Sequence, residues 1–191
     1  MAAHHGKLII LTAPSGSGKT SITRYLIQKY PQLSFSISAT TRSPRGQEKN
    51  GVEYYFLTVP EFRQKIDAHE FIEWEMVYEG KYYGTLKTEL NRIWDAGKIP
   101  MLDIDVQGAI HVQQKFDGDC LSIFIQPPSV EELKRRLESR GTETPETLAI
   151  RVSKASYEMS FRHHFSRTIL NDELEKACIE TENLIKDFLG W

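Results

Sequence analysis

Ala13-Pro14-Ser15-Gly16-Ser17-Gly18-Lys19-Thr20 follows the apolar run Leu8-Ile9-Ile10-Leu11 and precedes a stretch with helical spacing. A loop between strand and helix aims successive backbone N–H groups into one cavity, and the helix N-terminus adds partial positive charge. The chemistry such a loop suits is binding a nucleoside triphosphate. Lys19 would reach the β/γ-phosphates and Thr20 would offer its hydroxyl to magnesium. Ala13 stands where the GxxxxGK[ST] pattern has its first glycine. That departure is harmless if the φ angle of Ala13 is negative and costly if it is positive.

Three further groups could act on phosphates. Arg42 and Arg45 flank Pro44 in a loop after a strand, where guanidinium groups can clamp a second anion by paired N–H bonds or form a solvated basic loop. Asp103 and Asp105 end an apolar strand, whose alternation puts both carboxylates on one face, one toward magnesium and one toward an acceptor. Arg136 and Arg140 share a helix face, with Arg151 beyond Gly141, whereas Arg135 points elsewhere as a solvated side chain. Such cations can meet a polyphosphate in a transition state, where one arginine is worth about 10³ or more in rate. If the acceptor is itself a phosphate, its oxygen is already ionised near neutral pH and no general base is required.

These groups need a scaffold that brings them to one edge. Residues 21–29 carry Ile22, Tyr25, Leu26 and Lys29 at helical spacings, residues 33–37 alternate like a strand, and residues 46–84 are rich in Gly, Tyr and charge. The last stretch reads as an inserted, mainly antiparallel unit with strands at residues 54–57 and 71–74 around a helix at 60–68. The α/β rhythm returns with a helix at 86–96, a strand at 99–105, a helix at 107–115, a strand at 120–125 and a helix from Val130 to about Arg140. A short strand follows at 167–170, and Asp172 with Glu175 at capping-box spacing opens the last helix, with Leu174, Ala177, Cys178, Leu184, Ile185 and Phe188 as its buried face. Apolar strands alternating with helices imply a parallel sheet covered on both faces, with ligands at the carboxyl ends of the strands. Residues 141–165 have the composition of a mobile lid.

A chain of 191 residues suffices for one domain with insertions that cover a site. Its formal net charge of −2 removes a global drive toward nucleic acid or an anionic membrane. Cys120 and Cys178 match no metal-ligand or redox spacing and read as reduced core thiols. No apolar stretch approaches the roughly 20 residues of a membrane span and residues 1–6 carry no signal-peptide core, so the expected location is the cytoplasm. His4 and His5 read as inert imidazoles on a loose terminus.

Several segments, in order and along nearly the whole chain, resemble the guanylate kinase family. They are Ser38-Ala39-Thr40-Thr41-Arg42-Ser43-Pro44-Arg45, Gly51-Val52-Glu53-Tyr54-Tyr55-Phe56, Glu70-Phe71-Ile72-Glu73-Trp74, Tyr82-Tyr83-Gly84, Leu102-Asp103-Ile104-Asp105-Val106-Gln107-Gly108 and Arg140-Gly141-Thr142-Glu143-Thr144. The resemblance implies an α/β P-loop core (residues 1–37, 91–140 and 166–191), an inserted mixed α/β GMP-binding subdomain (38–90) and a helical lid (141–165). It also implies transfer of a phosphoryl group from ATP to GMP or dGMP with Mg2+, without nucleic acid or membrane partners. Carried over by residue, Ala13 to Thr20 and Asn171 hold ATP, and Thr20 and Asp103 hold the metal. Arg42, Arg45, Tyr54 and Tyr83 hold the GMP phosphate. Glu73, Asp105, Ser38 and Thr85 read guanine, and Lys19, Arg42, Arg136, Arg140 and Arg151 serve the transfer. Thr85 stands where serine is familiar, and it keeps the hydroxyl.

Two other readings compete. Guanylate-kinase-like modules in scaffold proteins bind phosphorylated peptides but usually lose the loop lysine or lid arginines, which are present here. A P-loop kinase acting on a sugar phosphate would have no use for the guanine-reading edge of Glu73, Ser38 and Asp105.

Overall fold

The computed structural model describes residues 6–139, 141 and 144–191. His4, His5 and Arg140 therefore lie outside the described residues. A five-stranded sheet is built from β1 (Leu8–Thr12), β2 (Leu33–Phe35), β7 (Ile99–Asp103), β8 (Cys120–Gln126) and β9 (Arg167–Leu170), in the order β2-β7-β1-β8-β9. Every neighbouring pair in it is parallel. A second sheet, ordered β4-β3-β6-β5, contains β3 (Ala39–Thr40), β4 (Tyr55–Phe56), β5 (Phe71–Tyr78) and β6 (Lys81–Leu86). It is mixed, with β3 parallel to β4 and antiparallel to β6, and β5 antiparallel to β6. The helices are α1 (Lys19–Lys29), α2 (Val59–Asp67), α3 (Lys87–Asp95), α4 (Val106–Lys115), α5 (Val130–Ser139), α6 (Pro145–Ser160) and α7 (Leu174–Leu189).

Period-two alternation makes this a three-layer core. Ile9 and Leu11 of β1 face Ile22 and Leu26 of α1 and Ala177 and Ile185 of α7. Leu8 and Ile10 face the other way, against Leu90 of α3 and Ala109 and Val112 of α4. These four apolar β1 side chains are fully buried, each contributing about 1.5–3 kcal/mol. A strand apolar on both faces must lie inside a sheet, and β1 is its central strand.

Because the five strands are parallel, their carboxyl ends share one edge. The loop 13–18 leaves it from β1, Ser38 from beyond β2, Asp105 from beyond β7 and Asn171 from beyond β9. Beside it, α6 packs Leu148, Val152 and Ala155 onto Leu133 and Leu137 of α5. The arm that composition marks as a lid thus shares a small apolar core with α5.

Three local expectations need correction. The strand expected at 99–105 ends at Asp103; Asp105 instead caps α4, its side chain accepting from the Gly108 N–H at 2.9 Å. Asp103 and Asp105 are therefore not alternate residues of one strand. The last helix has no side-chain cap, and its N-cap is Glu173; the Asp172 carboxylate turns to the Glu173 N–H at 2.7 Å instead of closing a box with Glu175. Leu174, expected on the buried face, is 46% exposed, because it sits in the first turn where α7 leaves the sheet edge.

Candidate active site

The loop after β1 is shaped by its glycines. Gly16 and Gly18 have φ of 98° and 88°, which L side chains rarely adopt. A Cβ on Gly16 would stand 3.1 Å from Leu137, and one on Gly18 would stand 2.2 Å from Asn171 Nδ2. Ala13 is not among the positive-φ residues, so the missing first glycine costs no strain. α1 begins at Lys19, two residues before the position its periodicity marks, with no side-chain cap and no acid in its first turn. No side chain of its own therefore competes with an anion for the positive end of its dipole.

Lys19 Nζ lies 2.5 Å from Asp103 Oδ1 and 3.4 Å from the Ile104 carbonyl. Burial would lower the ammonium pKa, but the charge and hydrogen bond of Asp103, helped by Glu158, hold it above its ordinary value. Arg151 of α6 donates to Ser15 Oγ at 2.7 Å, joining the arm to the loop. Asn171 Nδ2 donates to the Ser17 carbonyl at 2.7 Å, and Arg136 bridges the Asn171 carbonyl (3.0 Å) and Glu132 (2.8 Å). Arg135, also on Glu132, is 75% exposed and matches the solvated reading.

The second sheet supplies the opposite wall. Its β5–β6 pairing sets Glu73 against Thr85, whose hydroxyl donates to Glu73 Oε1 at 2.6 Å. Glu73 is only 6% exposed. Burial, with repulsion from Asp105 and Glu75, outweighs the Thr85 hydrogen bond and pushes its carboxyl up to about 7. Gly108 makes room for it, since a Cβ there would stand 2.6 Å from Glu73 Oε2 and 3.1 Å from Asp105 Oδ1. Arg42 stacks over Tyr54, 4.7 Å from the ring centre, and grips Glu48 through two bonds of 2.6 and 2.7 Å. Glu48 also accepts from the Arg45 N–H at 2.8 Å, closing the loop, and Arg42 holds its carboxyl at about 2.

One cleft of about 310 Å³ gathers residues 13–20 with Ser38, Tyr54, Glu73, Tyr83, Asp103, Asp105 and Arg151. Thr85 and Arg42 lie immediately behind its wall, bonded to Glu73 and stacked on Tyr54. Arg45 is exposed, and Arg136 and Asn171 brace the loop from outside the cleft lining. Sequence reasoning missed three acids, one of them Glu75, which lines the cleft from β5. Glu48 stands three residues after Arg45, a spacing that could have flagged it. Glu158 lines the cleft from α6, 3.4 Å from Lys154, and reads in sequence as an ordinary helical acid.

A glycine-rich loop at a helix N-terminus faces a buried carboxylate across one cleft, and the guanylate kinase family model matches residues 5–188. The chain belongs to the guanylate kinase family. A guanylate kinase of Bacteroides thetaiotaomicron is 52% identical over 97% of this chain and 91% of its own length. One of Porphyromonas gingivalis is 48% identical over 96% and 98%. The crystal structure of guanylate kinase from Anaplasma phagocytophilum superposes with a TM-score of 0.77 at 30% identity, covering 95% of this chain and 85% of that one. The chain is thus an enzyme with guanylate kinase activity, and an inactive module is not favoured. Among the described residues, no helix of this guanylate kinase is long and apolar enough to cross a membrane.

Proposed function

We propose that the chain reversibly transfers the γ-phosphoryl group of ATP to GMP or dGMP with Mg2+, giving ADP and GDP. The observation that carries this reading is the buried Glu73 carboxylate, held by Thr85 in the same cleft as the phosphate loop. Its free oxygen positions suit two donors, the N1–H and exocyclic amine of guanine. Adenine would present an acceptor there, and buried polar mismatches of this kind cost several kcal/mol. Asp105 assists at the amine and Ser38 faces O6, whereas Thr85, expected there too, gives its one hydroxyl proton to Glu73 and holds that carboxylate in place.

Tyr54, Tyr83, Arg42 and Arg45 hold the GMP phosphate, with Arg42 oriented in advance by Glu48. Residues 13–20 cradle the ATP phosphates, Lys19 follows charge onto the transferred group, and Asn171 stands on the adenine side. A GMP phosphate oxygen forms the new bond to Pγ as the β–γ bridging bond breaks toward ADP. Positioning and charge stabilisation suffice, and Arg136, Arg140 and Arg151 supply the latter. The Thr20 hydroxyl and Asp103 carboxylate are hard oxygen donors beside the loop, so they fit magnesium. When bound, the ion neutralises charge on the β/γ oxygens. In this reading residues 38–90 form the GMP-binding subdomain and residues 141–165 the lid. The free thiols Cys120 and Cys178 suit a reducing cytoplasm.

The test is ADP release with ATP, magnesium and a panel of AMP, CMP, UMP, GMP and dGMP. GMP and dGMP are expected to be strongly preferred, and equal use of AMP would reject the acceptor assignment.

A further inference from the structure

Glu89 is charged, yet it is only 2% exposed and lies outside the cleft lining. Its carboxylate takes four hydrogen bonds, which occupy its acceptor positions. Oε1 accepts from the Ile37 N–H at 2.9 Å and Arg92 Nη2 at 2.8 Å. Oε2 accepts from the Tyr55 hydroxyl and Arg92 Nε, both at 2.9 Å. Burial would raise its pKa, but Arg92, the Ile37 N–H and Tyr55 together hold it below the ordinary value, so it stays ionised.

Its partners sit where the chain passes between the two sheets. Ile37 lies between β2 of the five-stranded sheet and β3 of the mixed one, immediately before Ser38. Tyr55 opens β4 next to Tyr54, and its N–H donates to the Ser38 carbonyl at 2.9 Å. Glu89 itself stands in the first turn of α3, just after β6 carries Thr85 out of the mixed sheet. Its neighbour Leu90 is fully buried with Leu8, Ile10 and Leu102 of the core. One carboxylate anchored in the core therefore grips the entry and a neighbouring strand of the mixed sheet beside its exit.

We propose that Glu89 is a positioning residue for the acceptor: it sets Ser38 and Tyr54 at the correct distance from the phosphate loop without touching either nucleotide. The inference rests on the reading that the mixed sheet holds GMP. Loss of the tie would shift the GMP wall while leaving the ATP loop, which is built on β1 and α1, in place.

The experiment measures KM for GMP and for ATP separately in wild type, Tyr55→Phe, Glu89→Gln, their double variant and Glu73→Gln. Tyr55→Phe, which removes one hydroxyl and keeps the ring, should raise the GMP KM about three- to tenfold, the range one hydrogen bond carries. Glu89→Gln should raise it by about tenfold or more, the double variant should add little further, and the ATP KM should stay within about twofold throughout. A merely structural role would lower the amount of active enzyme and leave both KM values alone. Unchanged GMP KM in Tyr55→Phe and Glu89→Gln, or equal rises for both nucleotides, overturns the proposal. If Glu73→Gln also leaves the GMP KM unchanged, the acceptor-site reading falls with it; if only Glu73→Gln raises it, the positioning role alone is wrong.

Discussion

Thr85 Oγ1 and Glu73 Oε1 stand 2.6 Å apart across the β5–β6 pair, a hydrogen bond that holds a nearly inaccessible carboxyl toward the cleft. Burial first, then Asp105 and Glu75, push Glu73 up to about 7 against an ordinary 4.5. Guanine needs the ionised form, so GMP binding should strengthen as pH rises through about 7. The stability of the free protein should run the other way. Between about 4.5 and 7 the folded state holds a proton that the unfolded chain has lost, so stability falls as pH rises, by on the order of 3 kcal/mol from this group. Glu73→Gln should abolish that slope, unfold later than wild type at pH 8 and lose GMP use. Denaturant unfolding against pH, with GMP kinetics on both proteins, checks all three outcomes.

Gly108→Ala should separate stability from function. The added methyl would meet Glu73 Oε2 at 2.6 Å, the movable end of a side chain, while alanine favours helix α4 by about 1 kcal/mol. The expected result is a folded protein of near-normal stability whose GMP KM rises about tenfold or more with little change for ATP. A crystal structure or calorimetric titration of the variant would reveal whether Glu73 has been displaced.

Asn171→Ala should act on the other nucleotide. The change removes the 2.7 Å bond to the Ser17 carbonyl and the group that fills the space above Gly18. A stability loss of about 1–3 kcal/mol is expected from the unpaired buried carbonyl. The ATP KM should rise more than the GMP KM, and the reverse ranking would contradict this bracing role.

Glu182→Ala should cost stability alone. Its 7%-exposed carboxylate receives Lys186 and Lys29 at 2.7 Å each and the Tyr25 and Tyr30 hydroxyls at 2.6 Å, tying α1 to α7 outside the cleft lining. Those donors, Lys186 and Lys29 foremost, hold its pKa well below the usual carboxylate range. Its contribution is therefore present above about pH 4.5 and lost as pH falls through the folded pKa. About 2 kcal/mol should disappear at neutral pH in the variant, with both KM values unchanged. Thermal unfolding and steady-state kinetics on one preparation would test this.

Local pattern carried far in this chain. The order strand, glycine loop, Lys19-Thr20 and helix is set by near neighbours, as are the two-faced apolar runs of β1, β7 and β8, so the strand–loop–helix unit and the parallel core were legible from residue types and spacing alone. The Arg42–Arg45 loop stood out as a possible anion clamp by residue type, but Glu73 could be named only because the segment around it resembles a family, since nothing in its own neighbourhood tells a buried acid from a solvated one. Tertiary structure decided the rest, because pairing between distant residues depends on burial and register. It shortened β7 and made Asp105 a helix cap, left the φ of Ala13 unstrained, turned Asn171 onto the Ser17 carbonyl and gave Arg42 to Glu48. It also joined Glu89 to Ile37 and Tyr55, residues separated by 52 and 34 positions, whose common meeting point no sequence period encodes.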